Sequence, residues 1–127
     1  MTATSGDRGE TTTQIVVLVP VLMLLVLLVV QASLWYHTAN VAQAGAARGA
    51  AAGAPAWASA GSASEAAVRT VGENGGHLVG QPVVVVGDRT VQVSVTLAVP
   101  QVVPFFPRVV TRIQLEPRER FIPEDQR

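Results

Sequence analysis

The chain has 127 residues, and nine basic residues, all arginine, balance nine acidic ones, so its formal net charge is zero. There is no basic excess of the kind that nucleic-acid binding requires, so we expect no nucleic-acid partner. The absence of cysteine excludes a disulfide framework and a thiolate metal site. The length suits one small domain beside an apolar segment.

A run of sixteen residues without a charged or polar side chain, Ile15–Val30, lies close to the N-terminus. As a helix it covers about 24 Å, slightly less than the hydrocarbon core of a bilayer, which is about 30 Å thick. Residues 31–34 add about one turn, and Trp35 and Tyr36 supply an aromatic pair suited to the membrane–water interface. The sequence therefore predicts a transmembrane helix over residues 15–36.

Three interpretations of this run are open. A buried soluble helix is disfavoured, because a helix that is apolar all round needs a larger core than this chain can build. A cleaved signal peptide would use Arg8 as its basic region and residues 42–44 (Ala-Gln-Ala) as its cleavage site, but the run is longer than the apolar region of such peptides. We therefore favour a retained single-pass helix. The position of Arg8 before it weakly favours a cytoplasmic N-terminus.

The helix is predicted to continue beyond the membrane span. Pro20 removes one backbone donor inside the run, and we expect a tolerated kink there. The alanine-rich residues 37–53 favour further helix, with a stop at Gly53-Ala54-Pro55. Gly45 and Gly49 fall on one face, where another backbone could approach closely. Inside a bilayer this pattern indicates helix–helix contact, and outside it the pattern reflects no more than alanine-rich composition.

A second helix is predicted from Ser62 to about residue 74. Ser62 and Glu65 have the spacing of a capping box, with Ser62 as the N-cap and Glu65 at the third helical position. Asn74-Gly75-Gly76 closes the helix with residues that accept a left-handed backbone.

The hydrophobic period changes from 3.6 to 2 after Pro82. Residues 83–86 form a short valine strand, residues 87–89 a turn, and Val91–Val99 alternates apolar and polar side chains, which together predict a β-hairpin. A third strand is expected over Val109–Leu115, with four side chains on one face: Val109, Thr111, Ile113 and Leu115. Because the apolar face of such a sheet must be covered, we predict an α+β fold in which the two helices cover a small antiparallel sheet.

These elements predict five regions along the chain. They are a cytoplasmic leader (1–14), the transmembrane helix (15–36), its extension (37–53), a small extracytoplasmic α+β domain (54–116) and a charged tail (117–127).

The sequence shows no catalytic or metal-binding constellation. His37 and His77 have no other ligands at metal-binding spacing, and each is expected at the surface or in an interface. The glycine-rich residues 72–80 follow a helix and lead into a strand, which is the wrong order for a phosphate-binding loop. We therefore predict no enzymatic activity, no cofactor, no metal and no small-molecule substrate.

One family resembles the N-terminal third of the chain. Arg8-Gly9, a following Glu10, and Pro20 within a long apolar run resemble the TadE-like family, the small pseudopilins of tight-adherence (Flp-type) pilus machinery. The resemblance extends from Asp7 to about Ala52. The later part, with its alternating strand, proline-rich stretch and residues 119–124, is similar to actinobacterial members.

The resemblance implies a route and partners. A prepilin peptidase would cut after Gly9 and leave Glu10 as the first residue of a protein whose N-terminus is cytoplasmic. The membrane and other pilin-like subunits or pilus assembly proteins would be its partners. The family has a carboxylate where this chain has Gln14, and a proline at the position of Pro20. Gln14 keeps hydrogen bonding but cannot form the charge pair with a neighbouring N-terminal amine, which would be stronger.

The resemblance therefore predicts a non-enzymatic minor pseudopilin that serves as an anchored structural accessory. The loss of the acid at Gln14 favours a member that is anchored but not polymerised. The alternative is a generic single-pass or secreted binding domain unrelated to pili.

Overall fold

The computed structural model describes residues 7–120, with side-chain surroundings from residue 14 onward. Within that range lie the helices α1 (Asp7–Gly53) and α2 (Ala60–Glu73) and the strands β1 (Val83–Val86), β2 (Thr90–Ala98) and β3 (Val109–Pro117). The predicted α+β class is confirmed. Residues 1–6 of the predicted leader and residues 121–127 of the predicted tail lie outside the described residues.

The first helix is one continuous element of 47 residues. It includes Pro20 and ends at Gly53, where the sequence predicted a stop. At the helical rise of 1.5 Å per residue it is about 70 Å long. The apolar segment (residues 15–30) and the alanine-rich residues after it therefore belong to the same rod.

The three strands form an antiparallel sheet in the order β1-β2-β3. The predicted hairpin is confirmed, and its turn is closed by the amide of Gly87, which donates to the carbonyl of Thr90 at 2.9 Å. The predicted alternation in β2 is also confirmed, because the apolar side chains at every second position of residues 91–99 are buried.

The direction of β2 determines which loop lies near the apolar segment of α1. Val91 lies beside Gly53, Val93 beside Gly49 and Val95 beside Gly45, so β2 runs antiparallel to α1. The β1–β2 turn therefore lies near the C-terminal end of α1. The β2–β3 loop (residues 99–108) returns toward Gln31, at the end of the apolar segment.

The third strand exists as predicted, but its apolar face is turned away from the core. Val109, Ile113 and Leu115 share one face, and that face is exposed. The opposite face meets α1 and carries Val110 and Arg112, followed by two further polar side chains. The register explains this, since the residues of β3 paired with the buried positions of β2 are Val110, Arg112, Gln114 and Glu116.

The second helix begins earlier than predicted. Its N-cap is Ser59, not Ser62, and the capping box is completed by Ser62 rather than Glu65. The Oγ of Ser59 accepts from the amide of Ser62 at 3.1 Å, and the amide of Ser59 donates to the Oγ of Ser62 at 3.2 Å. Two serines three residues apart satisfy the same two backbone amides that a Ser–Glu pair would. The predicted C-terminal closure is confirmed at Asn74 and at Gly75, which has φ +71°.

This difference is testable. Ser59→Ala is expected to destabilise the protein by about 1 kcal/mol, because it removes the acceptor for one exposed helix amide. Glu65→Ala should leave the free energy of unfolding within about 0.5 kcal/mol of the original, since Glu65 is an exposed residue outside the capping box. Urea unfolding of both variants in detergent micelles measures the two changes. Equal losses in the two variants would contradict the cap at Ser59.

The core is small and is built from alanine and valine. α1 contributes Val41 and a stripe of alanines, α2 contributes Val71 and two alanines, and the sheet contributes mainly β2 with Val110 from β3. Both helices thus cover the sheet, as predicted. We call residues 31–120 the packed domain, because the buried contacts of the described chain begin at Gln31.

Candidate membrane anchor and its docked domain

The side chains of the apolar segment of α1 are almost all exposed. Every side chain of residues 15–30 is exposed except the half-buried Leu28, and the exposure of its large apolar side chains runs from 42% at Val30 to 67% at Val29. Proteins surrounded by water rarely expose a contiguous apolar surface of this size, and such a surface marks a site of contact with a protein or a membrane. Among the described residues, α1 is the one helix long and apolar enough to cross a membrane. It is a candidate membrane anchor.

The predicted pilin-type positions lie along the first part of this helix. Gly9 and Glu10 lie in the first turn of α1, and their side-chain surroundings lie outside the described residues. Gln14 and Pro20 are exposed on the helix surface. Neither residue belongs to the buried core of the described chain, and their roles stay predictions.

The part of α1 that follows the apolar segment, residues 31–53, packs closely against α2. A Cβ added at Gly49 would lie 2.9 Å from the carbonyl oxygen of Ala63 and 3.0 Å from the Cβ of Ala67. A Cβ added at Gly45 would lie 2.7 Å from a methyl carbon of Val71. The face that carries these glycines is therefore a packing surface within this chain. The close approach of another backbone is therefore present, but it is made by α2 of the same chain and not by a second helix inside a bilayer.

Gln31 joins α1 to the β2–β3 loop. Its side chain is fully buried; its Nε2 donates to the carbonyl of Pro100 at 3.2 Å, and its Oε1 accepts from the amides of Val102 at 2.7 Å and Val103 at 3.1 Å. All three partners are backbone groups, so the bonds fix the path of the loop. Sequence reasoning treated Gln31 only as part of an extra turn. Its position as the first polar residue after the apolar run was the available signal.

The two predicted interfacial aromatics have different surroundings. Trp35 packs against the core, and the guanidinium carbon of Arg112 lies 5.6 Å from the centroid of its ring, within the range of a cation–π contact. Tyr36 is 65% exposed. Their assignment to the membrane interface stays a prediction. The contact with Arg112 was not predicted, since the sequence does not show which face of β3 meets α1.

The remaining polar side chains of the described residues include the two histidines and one open groove. His37 and His77 are exposed. Among residues 14–120 no group of three or more His, Asp or Glu side chains is placed to hold a metal ion. An open groove beside α1 and α2, about 1000 Å³ in volume, is lined by Arg48, Arg69, Glu73 and Glu116 among others. The groove is thus lined by charges of both signs.

The comparison with protein families agrees with the resemblance found in the sequence. The family model described as TadE-like protein matches residues 9–51, about a third of the chain. The match covers the apolar segment and nearly all of the part of α1 that follows it, residues 31–53. It shows a likeness to that family over these residues and does not distinguish an actinobacterial type. No curated protein matches the chain, and no solved structure does.

Proposed function

We propose that this protein, whose helix α1 carries the TadE-like match, is a non-enzymatic minor pseudopilin of a tight-adherence pilus or secretion apparatus. α1 would anchor it in the cell membrane with the N-terminus in the cytoplasm and the packed domain outside. One observation supports this proposal above the others. α1 is a single continuous helix whose apolar segment is exposed, whereas its residues 31–53 form part of the domain's core.

The structure supports retention of the anchor over cleavage of a signal peptide. The small-residue site predicted for a signal peptidase, residues 42–44, lies in the middle of residues 31–53, the part of α1 that belongs to the packed domain. Cleavage there would remove Gln31, Ala39 and Val41, all of which are buried. A protein cut at this site would lose three of the fourteen core residues and the bonds that hold the β2–β3 loop.

The likeness to pseudopilins also supports a structural rather than enzymatic role. The exposed apolar segment of α1 offers a surface on which the helix of a neighbouring subunit could pack in the membrane. Gln14, at the cytoplasmic edge of that surface, would offer a hydrogen bond where the family has a charge. Because a neutral hydrogen bond is weaker than a charge-assisted one, docking to other pilin-like subunits should be weaker than in members with the acid.

The N-terminus of the mature protein tests this proposal. In a bacterium that carries a tight-adherence system, we expect the membrane-bound protein to begin at Glu10, because the prepilin peptidase of such systems cuts after glycine. Mass spectrometry of the membrane fraction and of the medium identifies the first residue. Gly9→Leu is the matched control and should leave the leader in place with the anchor unchanged.

The other outcomes separate the alternatives. A start at Met1 or Thr2 in membranes would mean an uncut anchored protein and would contradict the pseudopilin route. A start near Gly45 in the medium would mean a secreted protein and would contradict the anchor itself.

A further inference from the structure

The β2–β3 loop has the composition of a membrane-contacting segment. Residues 100–107 read Pro-Gln-Val-Val-Pro-Phe-Phe-Pro, without a charged side chain, and the first charge after them is Arg108. Phe105 is 100% exposed and Val102 is 46% exposed. Burial of a phenylalanine side chain is worth about 2 kcal/mol, so Phe105 would be stabilised if an apolar environment covered it.

This loop is held at a definite height along α1. The three backbone bonds to Gln31 fix its beginning, and Phe106 and Pro107 lie beside Ala32 and Trp35. The amide of Val99 donates to the carbonyl of Arg108 at 2.8 Å, which closes the base of the loop. The loop therefore lies against the turn of α1 that directly follows the apolar segment.

That height coincides with the edge of the bilayer if α1 is the anchor. A hydrocarbon core of about 30 Å needs about twenty helical residues, whereas the apolar segment supplies sixteen. Counted from Ile15, the outer edge falls near Leu34, beyond Gln31. The loop surrounds Gln31 with apolar residues and satisfies its polar atoms, which would otherwise be costly at this depth.

We propose that the β2–β3 loop is a second membrane contact, in which Phe105 inserts into the outer face of the bilayer that α1 crosses. This inference rests on the anchor in the proposed function. The loop would complete the hydrophobic thickness that the apolar segment lacks and would fix the tilt of the packed domain on the membrane. Arg108, exposed next to the loop, is placed to meet anionic lipid headgroups.

The backbone of Phe105 agrees with this role. Its φ is +78°, and it is the one described residue other than glycine with a positive φ. Such a conformation costs about 1 kcal/mol or more for a side chain of this kind. Within the protein the strain produces no contact for the ring, because the ring is fully exposed. Insertion into lipid gives the strained conformation a compensating gain.

The depth of the side chain at position 105 tests the proposal. The chain has no cysteine, so Phe105→Cys, Trp57→Cys and Leu24→Cys can each carry one environment-sensitive dye. The full-length variants are reconstituted in vesicles of phosphatidylcholine and phosphatidylglycerol, with and without brominated acyl chains. Trp57 is the matched control, an aromatic residue that is 86% exposed just beyond the C-terminal end of α1.

We expect strong quenching by brominated chains at position 24, clear quenching with a blue shift at 105, and none at 57. Because a dye is itself apolar, the result is repeated with tryptophan as the reporter, in a Phe105→Trp variant that also carries Trp35→Phe and Trp57→Phe. No quenching at 105 by either reporter, with quenching at 24, would overturn the second contact and leave the anchor standing. Equal quenching at 57 would overturn it too, since the loop would not be selective. No quenching at 24 would contradict the anchor itself.

Discussion

Replacement of Gly49 by valine is expected to lower the free energy of unfolding of the packed domain by about 3 kcal/mol. The reason is the short distance between α1 and α2 at this residue. The first carbon of any side chain would meet a carbonyl oxygen of α2 at 2.9 Å and a methyl carbon of Val93 at 3.0 Å. The oxygen belongs to the backbone of Ala63, so no rotamer change relieves the clash and the two helices must separate.

The alanine variant at the same position tests the size dependence. Gly49→Ala should destabilise less than Gly49→Val, because alanine adds only the first carbon and improves the helix propensity of α1 by about 1 kcal/mol. Urea unfolding of the full-length protein in detergent micelles, followed by tryptophan emission, measures both variants. In micelles the apolar segment stays covered, so the transition reports the packed domain.

Gly72→Ala is the matched control for this series. Gly72 also lies inside a helix, but a Cβ there would have no atom within 4 Å. Its replacement should stabilise the protein by up to about 1 kcal/mol through helix propensity alone. If Gly49→Ala and Gly72→Ala changed stability by the same amount and in the same direction, the close approach of α1 and α2 would be contradicted.

The sequence predicts the elements of this fold well because each rests on a local pattern. The stop after Gly53, the turn at residues 87–89 and the alternation of β2 follow from glycine, proline and period-2 signals that act over a few residues. The apolar segment is equally local. These features determine the order of the elements and the existence of an anchor candidate.

The features that were missed depend on contacts far apart in the chain. The period of β3 shows that Val109, Ile113 and Leu115 share a face, but only the pairing with β2 decides which face meets α1. The start of α2 is a local exception. Ser62 and Glu65 have the spacing of a capping box, but the bonds form between Ser59 and Ser62. The role of Gln31 depends on residues about seventy positions later, and no local pattern connects them.

Gln31→Leu is the second replacement with a large expected effect. Leucine is similar in size but offers no hydrogen bond, so the carbonyl of Pro100 and the amides of Val102 and Val103 would all lose their partner. Each buried backbone group left unpaired costs about 1–3 kcal/mol. We expect the free energy needed to open the β2–β3 loop away from α1 to fall by about 3 kcal/mol relative to the original protein.

Hydrogen exchange of the Val102 and Val103 amides measures this opening. A loss of about 3 kcal/mol corresponds to exchange faster by about 100-fold. The valines at the far end of β2, such as Val91, should exchange at an unchanged rate, because their pairing with β1 and β3 does not involve Gln31. An equal acceleration along the whole of β2 would mean global destabilisation and would contradict a local role for Gln31.

Gln43→Leu provides the matched control, since it makes the same change on the same helix. The Nε2 of Gln43 donates to the Oε1 of Gln114 at 2.8 Å, and both side chains take part in this bond at the exposed surface. Water replaces such a partner at little cost, so the free energy of unfolding should change by less than about 0.5 kcal/mol. Unchanged exchange at Val102 and Val103 in Gln31→Leu would mean that these bonds do not hold the loop. The inferred depth of Phe105 in the membrane would then lose its structural basis, whereas the anchor, which depends on residues 15–30, would be unaffected.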